Sequence, residues 1–219
     1  MNCKYCGQIN TIKKGKRNNT QRFYCKDCER YFQNDYTYKA YGSNINSLLK
    51  QLLKEGCGVR SISRMLSISC GTVLSRMLKI SKQIKIPYFN KLGCKFEVDE
   101  MFIKIANGNS QNWLAYAIER KTKQVIDFVI TTTRSKERIY PIINKVLLLQ
   151  PNRIYTDGLN IYPSMIPKEI HKRFQYCTNI IERYNLTLRT HIKRLSRKTI
   201  CFSRNKIYLE AHLKIYFWG

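Results

Sequence analysis

Acidic residues are scarce in this chain of 219 residues: 14 Asp and Glu stand against 40 Lys and Arg, a formal charge of +26. With a pI near 9.9, that imbalance is the footprint of a polyanion binder. The basic residues run along the whole chain and not in one tail, so the whole surface is expected to face nucleic acid. Charge alone does not separate an enzyme from a protein that only binds. Long hydrophobic runs are missing too: no stretch approaches ~18 consecutive apolar residues, so no membrane span is expected. The N-terminus, MNCKYCGQIN, has no apolar segment of the signal-peptide kind. A reducing cytoplasm is the expected compartment, and an odd cysteine count of nine argues against a disulfide scaffold. No motif supplies a covalent nucleophile. What is present is enough apolar material, 43%, for a real core. The length suits one medium domain or two to three small ones.

The N-terminal quarter carries Cys3-x-x-Cys6 and Cys25-x-x-Cys28, separated by 18 residues. Each turn lets two thiolates reach one ion, and two turns complete a tetrahedron, so one structural Zn²⁺ is expected. A thioredoxin-like redox pair is the alternative, but no βαβ pattern surrounds either motif. The segment has little core of its own, so metal binding should supply much of its folding free energy. Lys13, Lys14, Lys16, Arg17 and Arg22 load it for phosphate contact. Cys57, Cys70, Cys94, Cys177 and Cys201 show no ligand spacing and read as small, partly buried hydrophobes.

A helical period follows. Ile45, Leu48, Leu49, Leu52 and Leu53 form one apolar stripe ended by Gly56; Val59, Ile62 and Leu66 mark a second, short helix. Ser69-Cys70-Gly71 then leads into a third, carrying Val73, Leu74, Met77, Leu78 and Ile80. Two short helices joined by a tight turn read as a helix-turn-helix. Its last helix would present Thr72, Ser75, Arg76 and Lys79 to bases or phosphates; plain three-helix packing is the alternative. The run KISKQIKIPYFNKLG reads as a linker.

From residue 96 the order is strand, strand, strand, helix, strand, short strand, helix. FEVDEMFIKI and WLAYAIE flank NGNSQN, QVIDFVITT follows RKTK, and NRIYTDG ends a fourth strand at Gly158. The intervening helix, SKERIYPIINKVLLLQ, should be capped at Ser135, with Glu137 in its first turn, and interrupted early by Pro141. This order is that of a ribonuclease-H-like fold. The expected class is therefore multidomain: a zinc ribbon over 1–40, a small all-α helix-turn-helix over 41–82, a linker over 83–95, and an α/β ribonuclease-H-like domain with a mixed sheet over 96–219.

Asp99 and Asp157 lie at strand positions in that order, and Glu182 at the head of the helical run NIIERYNLTLRTHIKRL. Three such acids can converge and hold the divalent ions that phosphoryl transfer on DNA needs. Each has a plainer reading. Asp99 fits a satisfied strand carboxylate, though Asp is depleted in strands. Asp157 fits a turn former with Gly158. Glu182 fits a favourable helix N-terminal charge. Glu100 should face away from Asp99, because side chains alternate along a strand, which leaves it a supporting role at most. The basic run Arg183, Arg189, Lys193, Arg194, Arg197 and Lys198 suits the DNA backbone, with a solvated helix face as the alternative. His191, alone on its helix, reads as a surface or core residue sooner than a catalytic one.

Several strings make the reading specific: CxxC…YCxxC, TYKA, GCGVRSISRMLSIS, VDEM, NWLAYAI, YTDG and, longest, IERYNLTLRTHIKRLSRKTICFS. On these the chain resembles transposases of the insertion-sequence-one family in their fused form, over nearly its whole length. The resemblance implies a DDE enzyme that binds terminal inverted repeats and cleaves and transfers DNA strands. It implies Asp99, Asp157 and Glu182 as ligands of two Mg²⁺ (or Mn²⁺) ions, and Arg189, seven residues beyond Glu182, as a catalytic-site residue holding a terminal phosphate. The gap of 24 residues between Asp157 and Glu182 is short for such enzymes. Double-stranded DNA, both element ends and target, is the implied partner. A homo-oligomer on DNA and a bacterial, nucleoid-associated cytoplasmic location are implied as well. A DNA-binding repressor without chemistry and a ribonuclease-H-like nuclease are the competing functions; loss of one of the three acids would favour the first.

Overall fold

The computed structural model describes residues 1–34, 38–105, 111–174, 176–196 and 200–219. The N-terminal unit is a three-stranded antiparallel sheet of β1 (Thr11–Arg17), β2 (Thr20–Cys25) and β3 (Tyr31–Gln33). Asn18 and Asn19 turn β1 into β2 with both φ angles positive, 47° and 62°, a hairpin geometry that asparagine tolerates. Its buried apolar cluster is only Cys3, Phe23, Cys25 and Phe32, with Cys28 against it.

Next come α1 (Ile45–Lys54), α2 (Val59–Leu66) and α3 (Cys70–Gln83). The stripe buries Ile45, Leu49 and Leu53 in α1, Ile62 in α2, and Val73, Met77 and Ile80 in α3, while Leu48 stays exposed. Ser69 caps α3, its Oγ accepting from the Thr72 amide at 3.0 Å. Gly56 sits at φ +78°, where a Cβ would lie 2.4 Å from the His191 carbonyl oxygen. Only glycine permits that approach.

The third unit is a mixed five-stranded sheet, in the order β6-β5-β4-β7-β8. Its strands are β4 (Lys95–Ile103), β5 (Asn112–Glu119), β6 (Val125–Thr131), β7 (Arg153–Thr156) and β8 (His171–Lys172). β4, β5 and β6 are antiparallel; β7 runs parallel to β4, and β8 parallel to β7. α4 (Lys136–Leu147) covers one face and α5 (Asn179–His191) the other. Alternation along β4 sends Phe96 and Val98 towards α4, and Met101 and Ile103 towards α5.

Two local expectations need correction. Pro141 does not interrupt α4. It lies inside one continuous helix, whose Ile139, Ile142, Ile143 and Val146 are buried against the sheet. That burial outweighs the one backbone bond the proline removes. Ser135 occupies the N-cap position, but its hydroxyl makes no cap bond.

A last helix, α6 (Lys206–Trp218), was absent from the expected order. Leu209 and Leu213 join the core under α5, while Ala211 and Ile215 join the core of α1–α3. His212 is buried between them, with Nε2 3.3 Å from the Leu53 carbonyl oxygen. One helix thus completes two cores. The non-motif cysteines also differ from expectation: Cys57 and Cys94 are half-buried and Cys177 buried, but Cys70 and Cys201 are exposed. No helix among the described residues is long and apolar enough to cross a membrane.

Candidate functional site

Two ligand clusters stand out among the described residues. In the first, one sulfur each from Cys3, Cys6, Cys25 and Cys28 lies within 4.8 Å of the others. The Cys3–Cys28 and Cys6–Cys25 sulfurs are 3.5 Å and 3.6 Å apart. A tetrahedron with metal–sulfur bonds of about 2.3 Å has sulfur–sulfur edges of about 3.8 Å, so the donor set fits zinc. Burial pushes the Cys3 thiol up, but amides of Cys6 and Tyr5 and the neighbouring thiols outweigh it and bring the pKa to about 6. Burial and hydrogen bonds with the other three thiols push Cys28 up to about 12. Lys13, Lys14, Lys16 and Arg17 are exposed on β1, and Arg22 stacks over Tyr31 at 4.4 Å.

The second cluster lies where β4 and β7 stop pairing. Their parallel register runs from Lys95↔Arg153 to Val98↔Thr156. Asp157 leaves β7 at that point and forms a turn, Oδ1 accepting from the Leu159 amide at 3.0 Å. Ligand atoms of Asp99, Glu100 and Asp157 all lie within 4.8 Å of one another. Asp99 and Asp157 are therefore together, as expected. Glu100 is with them, against the alternation argument: its side chain does leave on the opposite face of β4, but beyond Val98 that edge has no strand beside it. Carboxylates from both faces can reach round to Asp157.

Burial pushes Asp99 up to about 6, helped by the charges of Asp157 and Glu182 and opposed by bonds from Asn185 and the Glu100 amide. Burial likewise raises Glu100 to about 7, with Asp157 and Asp99 adding repulsion and the Tyr162 hydroxyl opposing it. A bound cation would relieve both penalties.

Glu182 lines the same cleft, beside Asp99, Asn185 and Arg189. It lies outside the three-carboxylate group; it is exposed, with Oε1 accepting from the Thr178 hydroxyl at 2.9 Å. Arg189 shares the Glu182 face of α5, as seven-residue spacing predicts. His191 points elsewhere: its Nδ1 is 2.6 Å from the Tyr216 hydroxyl of α6.

Three further residues hold this arrangement. Asn185 donates from Nδ2 to Asp99 Oδ2 at 2.7 Å and accepts from the Tyr116 hydroxyl at 2.7 Å. Its spacing of three from Glu182 was the available signal. Tyr162, fully buried, donates to Glu100 Oε1; nothing in its sequence context marked it. Glu97, also fully buried, accepts from the Ile181 amide at 2.7 Å, in the first turn of α5. Arg120 Nε forms an ion pair with the other oxygen of Glu97 at 2.7 Å. Glu97 thus anchors the positive end of the helix that carries Glu182, Asn185 and Arg189. Its signal was alternation: two residues before Asp99 on one strand means the same face.

The residues expected at DNA divide. Ser75 and Lys79 on α3 are exposed. Thr72 bonds Tyr38 and Ser69, at 2.7 Å and 2.9 Å. Arg76 donates to Asn46 at 2.7 Å and to the Ala40 carbonyl, bracing α3 against α1 and the chain before it. Arg183 and Lys193 are exposed, whereas Arg194 is half-buried, 3.4 Å from the Ser203 hydroxyl. Arg197 and Lys198 lie outside the described residues.

Comparisons with known proteins bear on this geometry. The InsB protein of insertion element iso-IS1n from Shigella dysenteriae is 36% identical over 119 residues, covering 54% of this chain and 88% of that protein. The InsB protein of insertion element IS1 4 from Escherichia coli K12 is 34% identical over 123 residues, covering 54% and 69%. Among solved structures, a chain of the simian T-cell lymphotropic virus intasome in complex with PP2A regulatory subunit B56 gamma aligns with a TM-score of 0.41 and 14% identity. That alignment covers 75% of this chain and 66% of the other, and an overlap that loose decides nothing. The family model described as IS1 transposase matches residues 92–216, more than half of the chain and the whole of the carboxylate cleft with the helices around it. The chain belongs to the IS1 transposase family.

Proposed function

We propose that this chain is a DDE-type DNA transposase that binds the terminal inverted repeats of its element and cleaves and transfers DNA strands with divalent metal. The observation that carries this reading is the cluster of Asp99, Glu100 and Asp157 within 4.8 Å, in a chain of charge +26. The buried, unbonded Oε2 of Glu100 fits a cation as its missing partner. Asp99, Asp157 and Glu182 would hold Mg²⁺ or Mn²⁺, two ions in the full site. When bound, those ions activate a water or a DNA 3′-OH and stabilise the leaving oxygen. Asn185 keeps Asp99 turned into the cleft, and Glu97 fixes α5 against β4. Arg189 would hold a DNA phosphate, its charge independent of pH.

The rest of the chain fits this role. We assign a ribonuclease-H-like fold to residues 96–219, a helix-turn-helix to 41–82, a zinc ribbon with one Zn²⁺ on Cys3, Cys6, Cys25 and Cys28 to 1–40, and a linker to 83–95. Thr72, Ser75, Arg76 and Lys79 would read the ends, two of them by bracing α3. Lys193, Arg194, Arg197 and Lys198 would follow the backbone. Pairing two ends calls for a homo-oligomer on DNA, in a bacterial cytoplasm beside the nucleoid.

The test is Asp157→Asn. Mg²⁺-dependent cleavage of element-end DNA should fall by at least about a hundredfold, as loss of several kcal/mol of transition-state stabilisation requires. End binding should stay within about threefold, because the carboxylate holds metal and not sequence. Parallel loss of binding and cleavage in a folded variant would sink the assignment and leave a DNA-binding protein.

A further inference from the structure

We propose that Glu100 is a ligand of the metal ion held between Asp99 and Asp157, with Tyr162 as the residue that positions it. This inference rests on the metal-site reading of the cleft and adds to it a donor outside the Asp99, Asp157 and Glu182 set.

Glu100 is 9% exposed. One of its oxygens accepts from the Tyr162 hydroxyl. The other, Oε2, is buried and has no hydrogen-bond partner. A buried carboxylate oxygen without a partner is costly, and this one belongs to a group whose ligand atoms lie within 4.8 Å of Asp99 and Asp157. Two more carboxylates cannot satisfy it; a hard divalent cation, which takes oxygen ligands, can.

The clamp is built into the chain. Tyr162 opens a short 3-10 turn (Tyr162–Ser164), four residues past Gly158, and is fully buried in the core beneath α4. Its hydroxyl reaches Glu100 from the face opposite Asn185, which holds Asp99. The two carboxylates are therefore gripped from opposite sides of β4, each with one oxygen occupied by a fixed donor. Glu182 has no such grip: it is exposed and bonded to Thr178, the N-cap residue of its own helix. In the free protein the first ion should thus be held by Asp99, Glu100 and Asp157, and Glu182 should count only once DNA is present.

The test titrates Mn²⁺ into the full-length, zinc-loaded chain without DNA, read by calorimetry and by the Mn²⁺ electron paramagnetic resonance signal. Thermal unfolding serves as the fold control. Glu100→Gln should weaken Mn²⁺ binding by about tenfold or more, as Asp157→Asn does, and Glu182→Gln by less than about threefold. Tyr162→Phe, which frees Oε1 but keeps the charge, should weaken it by about threefold or more. It decides the matter if the glutamine variant does not fold. Wild-type affinity in folded Glu100→Gln, or in Tyr162→Phe where the glutamine variant fails, with loss in Asp157→Asn, overturns the role of Glu100 and leaves the metal site standing. Unchanged affinity in Asp157→Asn as well overturns both.

Discussion

The thiol cluster and the carboxylate cluster, each able to hold a metal ion, are assembled in opposite ways. Cys3, Cys6, Cys25 and Cys28 come from two short turns joined by one hairpin, and a handful of buried side chains surrounds them. That core is small, so the unit would draw much of its stability from a bound ion. Asp99 and Glu100 come from β4 and Asp157 from the turn after β7, which meet only because β4, β5, β6 and α4 have already packed. There the fold holds like charges together and raises their proton affinity. A bound ion would stabilise the first site; in the second, the packed sheet holds the acids together.

The largest expected effect breaks the first site alone. Apparent binding energies of about 10–16 kcal/mol for structural zinc exceed anything the cluster of Phe23 and Phe32 can supply. A strong chelator, or Cys25→Ser, should unfold residues 1–34 and leave the five-stranded sheet intact. Hydrogen exchange would show protection lost in β1–β3 only, and metal analysis should find one zinc per chain. Loss of the sheet as well would abolish the contrast.

The second site should break through its support. Glu97→Ala leaves the Ile181 amide and the partly exposed Arg120 guanidinium without their partner. Loss of such a bonded charge costs about 1–3 kcal/mol. Denaturant unfolding should show that loss with an unchanged m-value, and metal-dependent cleavage should fall with it while zinc content stays the same. A loss under about 1 kcal/mol would mean that α5 is held by its apolar face alone.

Acid probes the helix that joins the units. Burial, aided by the charge of Arg194, lowers His212 to about 4 from an ordinary 6.5, against the bond to Leu53. The fold therefore favours its neutral form. That stability is complete above pH about 6.5, fades as pH falls towards 4, and totals about 3 kcal/mol at most. Asp99 and Glu100 are shifted the other way: their penalty is present above pH about 7 and fades on acidification. The difference between wild type and His212→Gln across pH 4–7 isolates the histidine. Parallel curves would mean that the α6 contact with Leu53 is not part of the cooperative fold.

The smallest effect sharpens function without stability. Arg189→Ala should lower strand cleavage and joining by about 10–150-fold, the worth of a charge-assisted bond to phosphate. End binding and unfolding should change little, and Arg189→Lys should recover part of the activity. Unaltered chemistry in the alanine variant would reduce Arg189 to one more surface cation.

Local chemistry was legible in the sequence. The CxxC pairs, the apolar stripe of α1 and the strand order from Phe96 to Thr156 follow from spacing and side-chain type. Asp99 and Asp157 could be paired because each follows directly on the last paired position of two adjacent parallel strands, Val98 and Thr156. Pro141 misled because propensity at one position yields to burial along a whole helix face. Glu100 misled because alternation does put it on the other face, but at an edge with no strand beside it carboxylates from both faces reach one point.

The sequence by itself determined the ligand types, the charge and the order of elements, since these depend on residues near one another in the chain. Tertiary structure alone decided which distant groups meet: Tyr162 on Glu100, Asn185 on Asp99, Glu97 at the head of α5, and α6 between two cores. Those contacts join residues tens to more than a hundred positions apart. Only the packed fold brings them within bonding distance, and no periodicity along the chain encodes that.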